Sequence, residues 1–244
     1  MLAIITIITL AVLSTTYSEL VKQGAFVWFS DFHLDLYYGG DNAYNAIECS
    51  VDNGRHFQYG CDAPINLVKG AIAASKKVSP NPKFILVTGD LSRHGISTGE
   101  FNDPEKEVES SLSTVAKILL DTFPNSSIIP SLGNNDITPD YYLDAEHPNN
   151  DLLNSAADVF SGLLSNEELT TFRYGGYFAR SLSNLRVLSI NTLVYSTRHE
   201  PDQTNVIDPY EQFLWMEGQL DDARKHNHFV YIVGHIPPTI GSYR

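Results

Sequence analysis

Positive charge is what this sequence has least of: 16 Lys and Arg stand against 29 Asp and Glu, a formal net charge of −13. Without a basic stripe to neutralise phosphates and release their counterions, a nucleic-acid scaffold is excluded as a partner. The acidity suits a solvated surface that keeps a protein in solution. Cysteine is scarce too, with two in 244 residues, which excludes a disulfide-dense mini-scaffold and a four-thiolate zinc knuckle. Past the first residues no apolar run is long enough for a membrane-spanning helix. Internal repeats and low-complexity tracts are also lacking, which excludes solenoids and repeat arrays.

The one long apolar run comes first. Met1 to about Ser18 is Leu, Ile, Val, Ala and Thr, too short at its centre to span a bilayer, and it ends in small residues around Thr15, Thr16 and Ser18. It reads as a cleaved signal peptide, with an uncleaved anchor as the lesser alternative because no charged residues precede the apolar run, leaving residues 19–244 as one domain bound for secretion or for an acidic vacuole-like or lysosome-like lumen. In an oxidising compartment Cys49 and Cys61, close together in a loop-like stretch rich in Asn, Asp, Gly and Tyr, are expected to be bridged. Asn125-Ser-Ser is a glycosylation sequon on a turn after Phe123-Pro124.

Hydrophobic residues make up 43% of the chain, enough for one substantial α/β core. Ile65 to Val78 and Pro104 to about Asp121 carry apolar residues at helical spacing, with Pro80 and Pro124 beyond their ends. Tyr141 to Thr171 is polar and helical in short pieces. Tyr177 to Leu182 and Leu185 to Leu193 read as two strands joined by Ser183-Asn184, Pro209 opens a helix through Trp215 and Ala223, and His228 begins a last strand. The alternation of strand and helix predicts an α/β fold with right-handed crossovers.

Four apolar strands each end in a polar residue of metal-binding type. Phe26-Val-Trp-Phe leads to Asp31 and His33, Phe84-Ile-Leu-Val to Asp90, Ser126-Ser-Ile-Ile-Pro to Asn134, and Phe229-Val-Tyr-Ile-Val to His235. Loops leaving strand carboxyl ends converge on one crevice in an open α/β sheet. If Asp31-Phe32-His33 is extended, its first and third side chains share a side and can grip one cation. Gly89 lets the chain turn tightly before Asp90, whose two oxygens can bridge two ions. Mixed Asp, His and Asn donors suit zinc, manganese or iron better than calcium. His56, His147, His199, His226 and His228 show no partner pattern and read as surface or loop residues, and the Tyr37-Tyr38 pair reads as packing under the disulfide loop.

These stretches resemble the calcineurin-like metallophosphoesterase superfamily, with its Asp-x-His, Gly-Asp, Gly-Asn and Gly-His motifs in order. Within it they are most similar to the acid sphingomyelinase-like phosphodiesterases and their endopolyphosphatase relatives. That branch is marked by Ser30-Asp-Phe-His-Leu-Asp35, Cys61-Asp-Ala-Pro64, Gly89-Asp-Leu-Ser-Arg-His94 and Gly234-His-Ile-Pro-Pro238. The resemblance implies a four-layer α/β/β/α sandwich of two mixed sheets around a dinuclear centre of divalent ions, zinc foremost, that activates water against a phosphorus ester. It implies Asp31, His33 and Asp90 for one ion, Asp90, Asn134 and His235 for the other, and catalytic roles for His94 and Asn135.

Two departures from the pattern set further expectations. Asn135 stands where many members have a histidine, which moves the general-acid role to His94. The chain also reaches Arg244 before any Gly-His-x-His, so a truncated domain with weakened metal affinity and exposed apolar surface near His228 to Val233 is expected. The substrate class implied is a phosphate ester: a nucleotide, a phospholipid headgroup or polyphosphate. A second reading is an incomplete member acting as a non-enzymatic secreted protein.

Overall fold

The computed structural model describes residues 25–44, 49, 57–96, 102–203 and 205–238. The expected leader, Met1 to Ser18, lies outside them, as does His56. The strands are β1 (Val27–Phe29), β2 (Leu34–Asp35), β3 (Ala63–Pro64), β4 (Phe84–Val87), β5 (Ser127–Pro130), β6 (Phe178–Leu182), β7 (Leu185–Ser189) and β8 (Phe229–Val233). The helices are α1 (Ile65–Val78), α2 (Pro104–Thr122), α3 (Asp151–Val159), α4 (Asn166–Gly175) and α5 (Gln212–Lys225).

β1, β4 and β5 form a parallel sheet with β4 in the middle, Val27 opposite Ile85 and Phe84 opposite Ser127. All four residues of β4 are buried, as a strand covered on both faces must be. α1 and α2 connect these strands and bury Val68, Ile72, Val108, Leu112, Val115 and Leu119 in the core. Asp103 accepts from the Lys106 N–H and Pro104 follows it, which together start α2 at that point. A second sheet is mixed: β6 and β7 pair antiparallel, β7 and β8 parallel.

The two sheets face each other. Phe26 stacks on Phe84 at 4.9 Å while Tyr231 of β8 meets Phe26 edge-on at 6.1 Å. Ser189 donates to the Pro130 carbonyl at 2.7 Å, and Arg180 reaches across to the Ile128 carbonyl at 2.7 Å. On the far side α5 sets Trp215 against Tyr177 at 4.5 Å and Gln219 on Arg186 at 3.0 Å. Helix, sheet, sheet, helix is the expected four-layer order. The first sheet is wholly parallel among the described residues, and the mixed pairing lies in the second.

Some local expectations give way to side-chain chemistry. The strand from Leu185 stops at Ser189 instead of running to Leu193, because the Gln212 amide takes the Asn191 N–H and C=O at 2.7 and 2.9 Å in place of a ladder partner. Asn191 then accepts from the Leu193 N–H and a short 3₁₀ turn follows, Leu193–Tyr195. Pro209 opens only a 3₁₀ turn, since Tyr210 and Glu211 have φ of 56° and 53°, and α5 begins at Gln212. His199 is a core residue and not a surface one: it is buried, with Nε2 2.6 Å from the Leu143 carbonyl. Cys49 and Cys61 are bridged, Gly39 N–H bonds the Cys49 carbonyl, and Tyr37 donates to Glu107 at 2.6 Å. Asn125 is exposed on its turn. Phe229, Tyr231 and Ile232 on β8 are 70%, 43% and 50% exposed.

Candidate metal centre

The loops after β1, β4, β5 and β8 meet at one place. Their meeting depends on glycine at two positions. Gly89 has φ of 83°, and a Cβ on it would lie 2.3 Å from the Gly133 nitrogen; a Cβ on Gly133 would lie 2.1 Å from the Asp90 nitrogen. The two backbones therefore touch where any side chain would hold them apart. Asp136 ties the same loops: its carboxylate accepts from the N–H groups of Asp90, Leu91, Ser92 and Gly133 at 2.8, 2.7, 3.2 and 2.8 Å. Burial first, and then the Asp90 charge, raises Asp136 to about 6 despite those donors.

The strand-end ligands are not extended. Asp31, His33 and Asp90 have φ of 56°, 42° and 53°, a conformation non-glycine residues hold only when surroundings impose it. Here the Asp31 N–H is bonded to the Gly89 carbonyl and the His33 N–H to the Asp90 carbonyl, both at 3.0 Å. Strand alternation therefore does not place Asp31 and His33 on one side, although the side chains still meet, with His33 Nε2 3.8 Å from Asp31 Oδ1.

Asp90 is the hub. His33 Nε2 lies 3.6 Å and His235 Nε2 3.4 Å from its Oδ2, and His235 Nε2 lies 3.1 Å from Asn134 Oδ1. Both imidazoles turn their Nδ1 to a backbone carbonyl, His33 to Ser92 at 3.2 Å and His235 to Thr88 at 2.8 Å. Each Nδ1 thus carries a proton and each Nε2 is turned toward the Asp90 carboxylate, the arrangement that prepares a histidine ligand. Asn134 gives its amide N–H to Asp140 at 2.9 Å, turning its oxygen inward. The asparagine at 135 is buried and spends both its N–H and its side-chain amide on Asp90, at 2.9 and 2.8 Å. Ligand atoms of Asp31, Asp90 and His235 all lie within 4.8 Å of one another.

Burial pushes the Asp90 carboxyl up, but the hydrogen bond and charge of His235 and the Asn135 donors outweigh it and hold the group below its ordinary value. Burial pushes His235 down, yet the Asp90 carboxylate raises it to about 9. A proton is therefore held between the two groups, and a divalent cation would compete for that place. Two carboxylates, two pre-oriented imidazoles and an amide oxygen fit such a cation by donor chemistry.

Beside this cluster His94 stacks on His33 at 4.1 Å with ring planes 16° apart. Its Nδ1 lies 2.9 Å from Asp62 Oδ1, and its backbone N–H donates to Asp62 Oδ2 at 2.7 Å. The hydrogen bond that His94 gives to the Asp62 carboxylate raises it above the ordinary histidine range, against the effect of burial. All seven residues singled out from the sequence are thus brought together. Asp62, Asp136 and Asp140 join them without having been marked by the motif reading. Asp62 sits next to Cys61 in Cys61-Asp-Ala-Pro64, and Asp136 two residues after Asn134, where an acid close in sequence to a ligand or to the disulfide was the available signal.

The profile of the calcineurin-like phosphoesterase family matches residues 25–244. A sphingomyelinase phosphodiesterase D of Dictyostelium discoideum is 34% identical over 192 residues, covering 78% of this chain and 42% of that protein. A human acid sphingomyelinase-like phosphodiesterase 3b is 32% identical over 227 residues, 89% of this chain and 49% of its own length. A cyclic GMP-AMP phosphodiesterase of Bos taurus is 31% identical over 226 residues, 88% of this chain and 48% of its own. The chain spans about half the length of the curated relatives it matches. The matched region runs through every loop that meets at Asp90, and on that extent the chain belongs to the calcineurin-like phosphoesterase family.

Proposed function

We propose that this chain carries the metal-binding part of a secreted, metal-dependent phosphodiesterase acting on a phosphate ester. The observation that supports this reading best is the convergence of His33 and His235, each with Nδ1 on a backbone carbonyl and Nε2 turned inward, on the buried Asp90 carboxylate. Asp31 and Asn134 flank that carboxylate, so the donors fall into two overlapping sets. Asp31, His33 and Asp90 would hold one divalent ion, zinc first, with manganese or iron as alternatives, and Asp90, Asn134 and His235 a second. Such ions supply Lewis-acid stabilisation of phosphoryl oxygens and lower the pKa of water.

The chain's own residues do the rest. Asn135 and the Asp136 brace keep Asp90 in one orientation, so the ligand loops need not reorganise during reaction. As water's oxygen forms its bond to phosphorus, the bond to the leaving oxygen breaks with its electron pair. His94 Nε2 gives that oxygen a proton, and the water proton passes to solvent. His94 is suited to this because its side chain is 43% exposed at the rim of the cluster. The names of the relatives, together with the single reacting centre they share, favour a diester of a nucleotide or a choline-type headgroup. No helix among the described residues is long and apolar enough to cross a membrane.

The test is metal analysis of the purified chain with turnover of a nitrophenyl phosphodiester, a cyclic dinucleotide, a choline phospholipid and polyphosphate. With zinc in excess, so that weak sites also fill, two equivalents of zinc and hydrolysis of at least one diester are expected. A chain that binds no divalent ion at micromolar concentration refutes the reading.

A further inference from the structure

The histidine at position 94 has a partner that the metal cluster does not use. Asp62 is 8% exposed, and its carboxylate takes both hydrogen bonds that His94 can offer it, from Nδ1 at 2.9 Å and from the backbone N–H at 2.7 Å. The segment carrying Asp62 is pinned on both sides. Cys61 before it is bridged to buried Cys49, and Ala63 after it donates to the His33 carbonyl at 2.8 Å in the β2–β3 ladder. A carboxylate fixed this way cannot follow a moving imidazole, so the imidazole must conform to it.

His33, Asp62 and His94 also lie close enough to suggest a cation of their own. The ring geometry argues otherwise. Rings 4.1 Å apart and 16° from parallel project their in-plane lone pairs side by side instead of onto a common point. The His94 Nδ1 is already held by Asp62.

We propose that Asp62 is the positioning residue of this site, fixing His94 with the proton on Nδ1 so that Nε2 is the atom that delivers a proton to the leaving oxygen. The inference rests on the phosphoesterase reading and adds to it the residue through which the acid is oriented. Asp62 itself touches no reacting atom. After each turnover the neutral imidazole keeps its Nδ1 proton against Asp62 and regains the Nε2 proton from solvent.

The tautomer can be read directly by nitrogen-15 NMR of the metal-free full chain, labelled at histidine and assigned with His94→Ala. Neutral His94 should carry its proton on Nδ1 in the wild type, and Asp62→Asn should shift it toward the Nε2–H form. With zinc restored, Asp62→Asn should slow an alkyl phosphodiester about 100-fold, while a nitrophenyl ester, whose leaving group needs no proton, should lose at least ten times less. Combining Asp62→Asn with His94→Ala should add nothing to the loss from His94→Ala alone. An unchanged tautomer, an equal loss on both esters, or a third zinc equivalent that disappears in Asp62→Asn would each overturn the proposal. Wild-type protein that binds zinc and hydrolyses neither ester overturns the phosphoesterase reading, and the proposed orientation is then decided by the tautomer.

Discussion

Replacing Gly133 by alanine separates close approach from backbone preference. Gly133 has φ of −98° and ψ of 173°, a region alanine occupies freely, so no conformational penalty is expected. The added Cβ, however, would sit 2.1 Å from the Asp90 nitrogen and 2.2 Å from Asp90 Oδ1. Ordinary contact begins at 3.4 Å, and the neighbour is a backbone that is itself braced, so overpacking alone should cost about 1–3 kcal/mol. The loops that would part are joined by Asp136 to the Gly133 and Asp90 N–H groups, both at 2.8 Å, and by the Asn135 N–H to Asp90 at 2.9 Å. Weakening two such charge-assisted bonds raises the total to about 3–6 kcal/mol, a large part of a typical domain's stability. A displacement near 1 Å should also lower turnover about 100-fold. Urea unfolding followed by circular dichroism, with zinc stoichiometry on the folded fraction, measures both effects. A Gly133→Ala protein within about 0.5 kcal/mol of wild type and with full metal content would refute the close-approach argument.

Gly70 and Gly218, inside α1 and α5, have nothing within 4 Å of where an alanine methyl would sit, so alanine at either should raise the urea midpoint by the equivalent of about 0.5–1 kcal/mol. Glu168 and Arg180 pair through Oε1 to Nε at 2.7 Å, with Arg180 also bonded to Ile128; Glu168→Gln should destabilise by about 3–5 kcal/mol in thermal or urea unfolding. Burial pushes Glu168 up, but Arg180 overrides it and holds the carboxyl below its ordinary value of 4.5. The stability it contributes is therefore full above that value and lost as pH falls from there through the lower folded value, and Glu168→Gln should lack that part of the acid loss. In metal-free protein, Asp90→Asn should drop His235 from about 9 into or below the ordinary histidine range by NMR titration. The same variant should fall short of two zinc equivalents.

Much of this architecture could be read from residue patterns. Phe84-Ile-Leu-Val declared a strand buried on both faces, and Ile65–Val78 kept the predicted bounds because Pro64 is extended and Ser79 leaves helical geometry. The strand-tip ligands were recoverable because each follows an apolar run. What escaped was set by contacts remote in sequence. The left-handed backbones of Asp31, His33 and Asp90 are imposed by hydrogen bonds between the β1 and β4 loops, which local propensity cannot register. The end of β7 depends on Gln212, 21 residues beyond Asn191. Asp62 and Asp136 are acids whose partners are backbone N–H groups or a distant histidine, and no spacing rule separates those from solvated acids.

The hydrogen bond from His235 to the Thr88 carbonyl joins residues 147 apart in sequence and belongs to two different sheets. Asp31, Asp90 and Asn134 can be assembled by the first sheet alone, but the second ligand set is incomplete until β8 has docked on β7 beside it. As the chain emerges in order, the early loops would wait with a surplus of negative charge for an imidazole that arrives late. Contacts of such separation are slow to form. Tight cation capture would then report a finished fold, and a bound ion would in turn hold the sheets together by mass action. The supply of such an ion would then bear on how many molecules complete assembly.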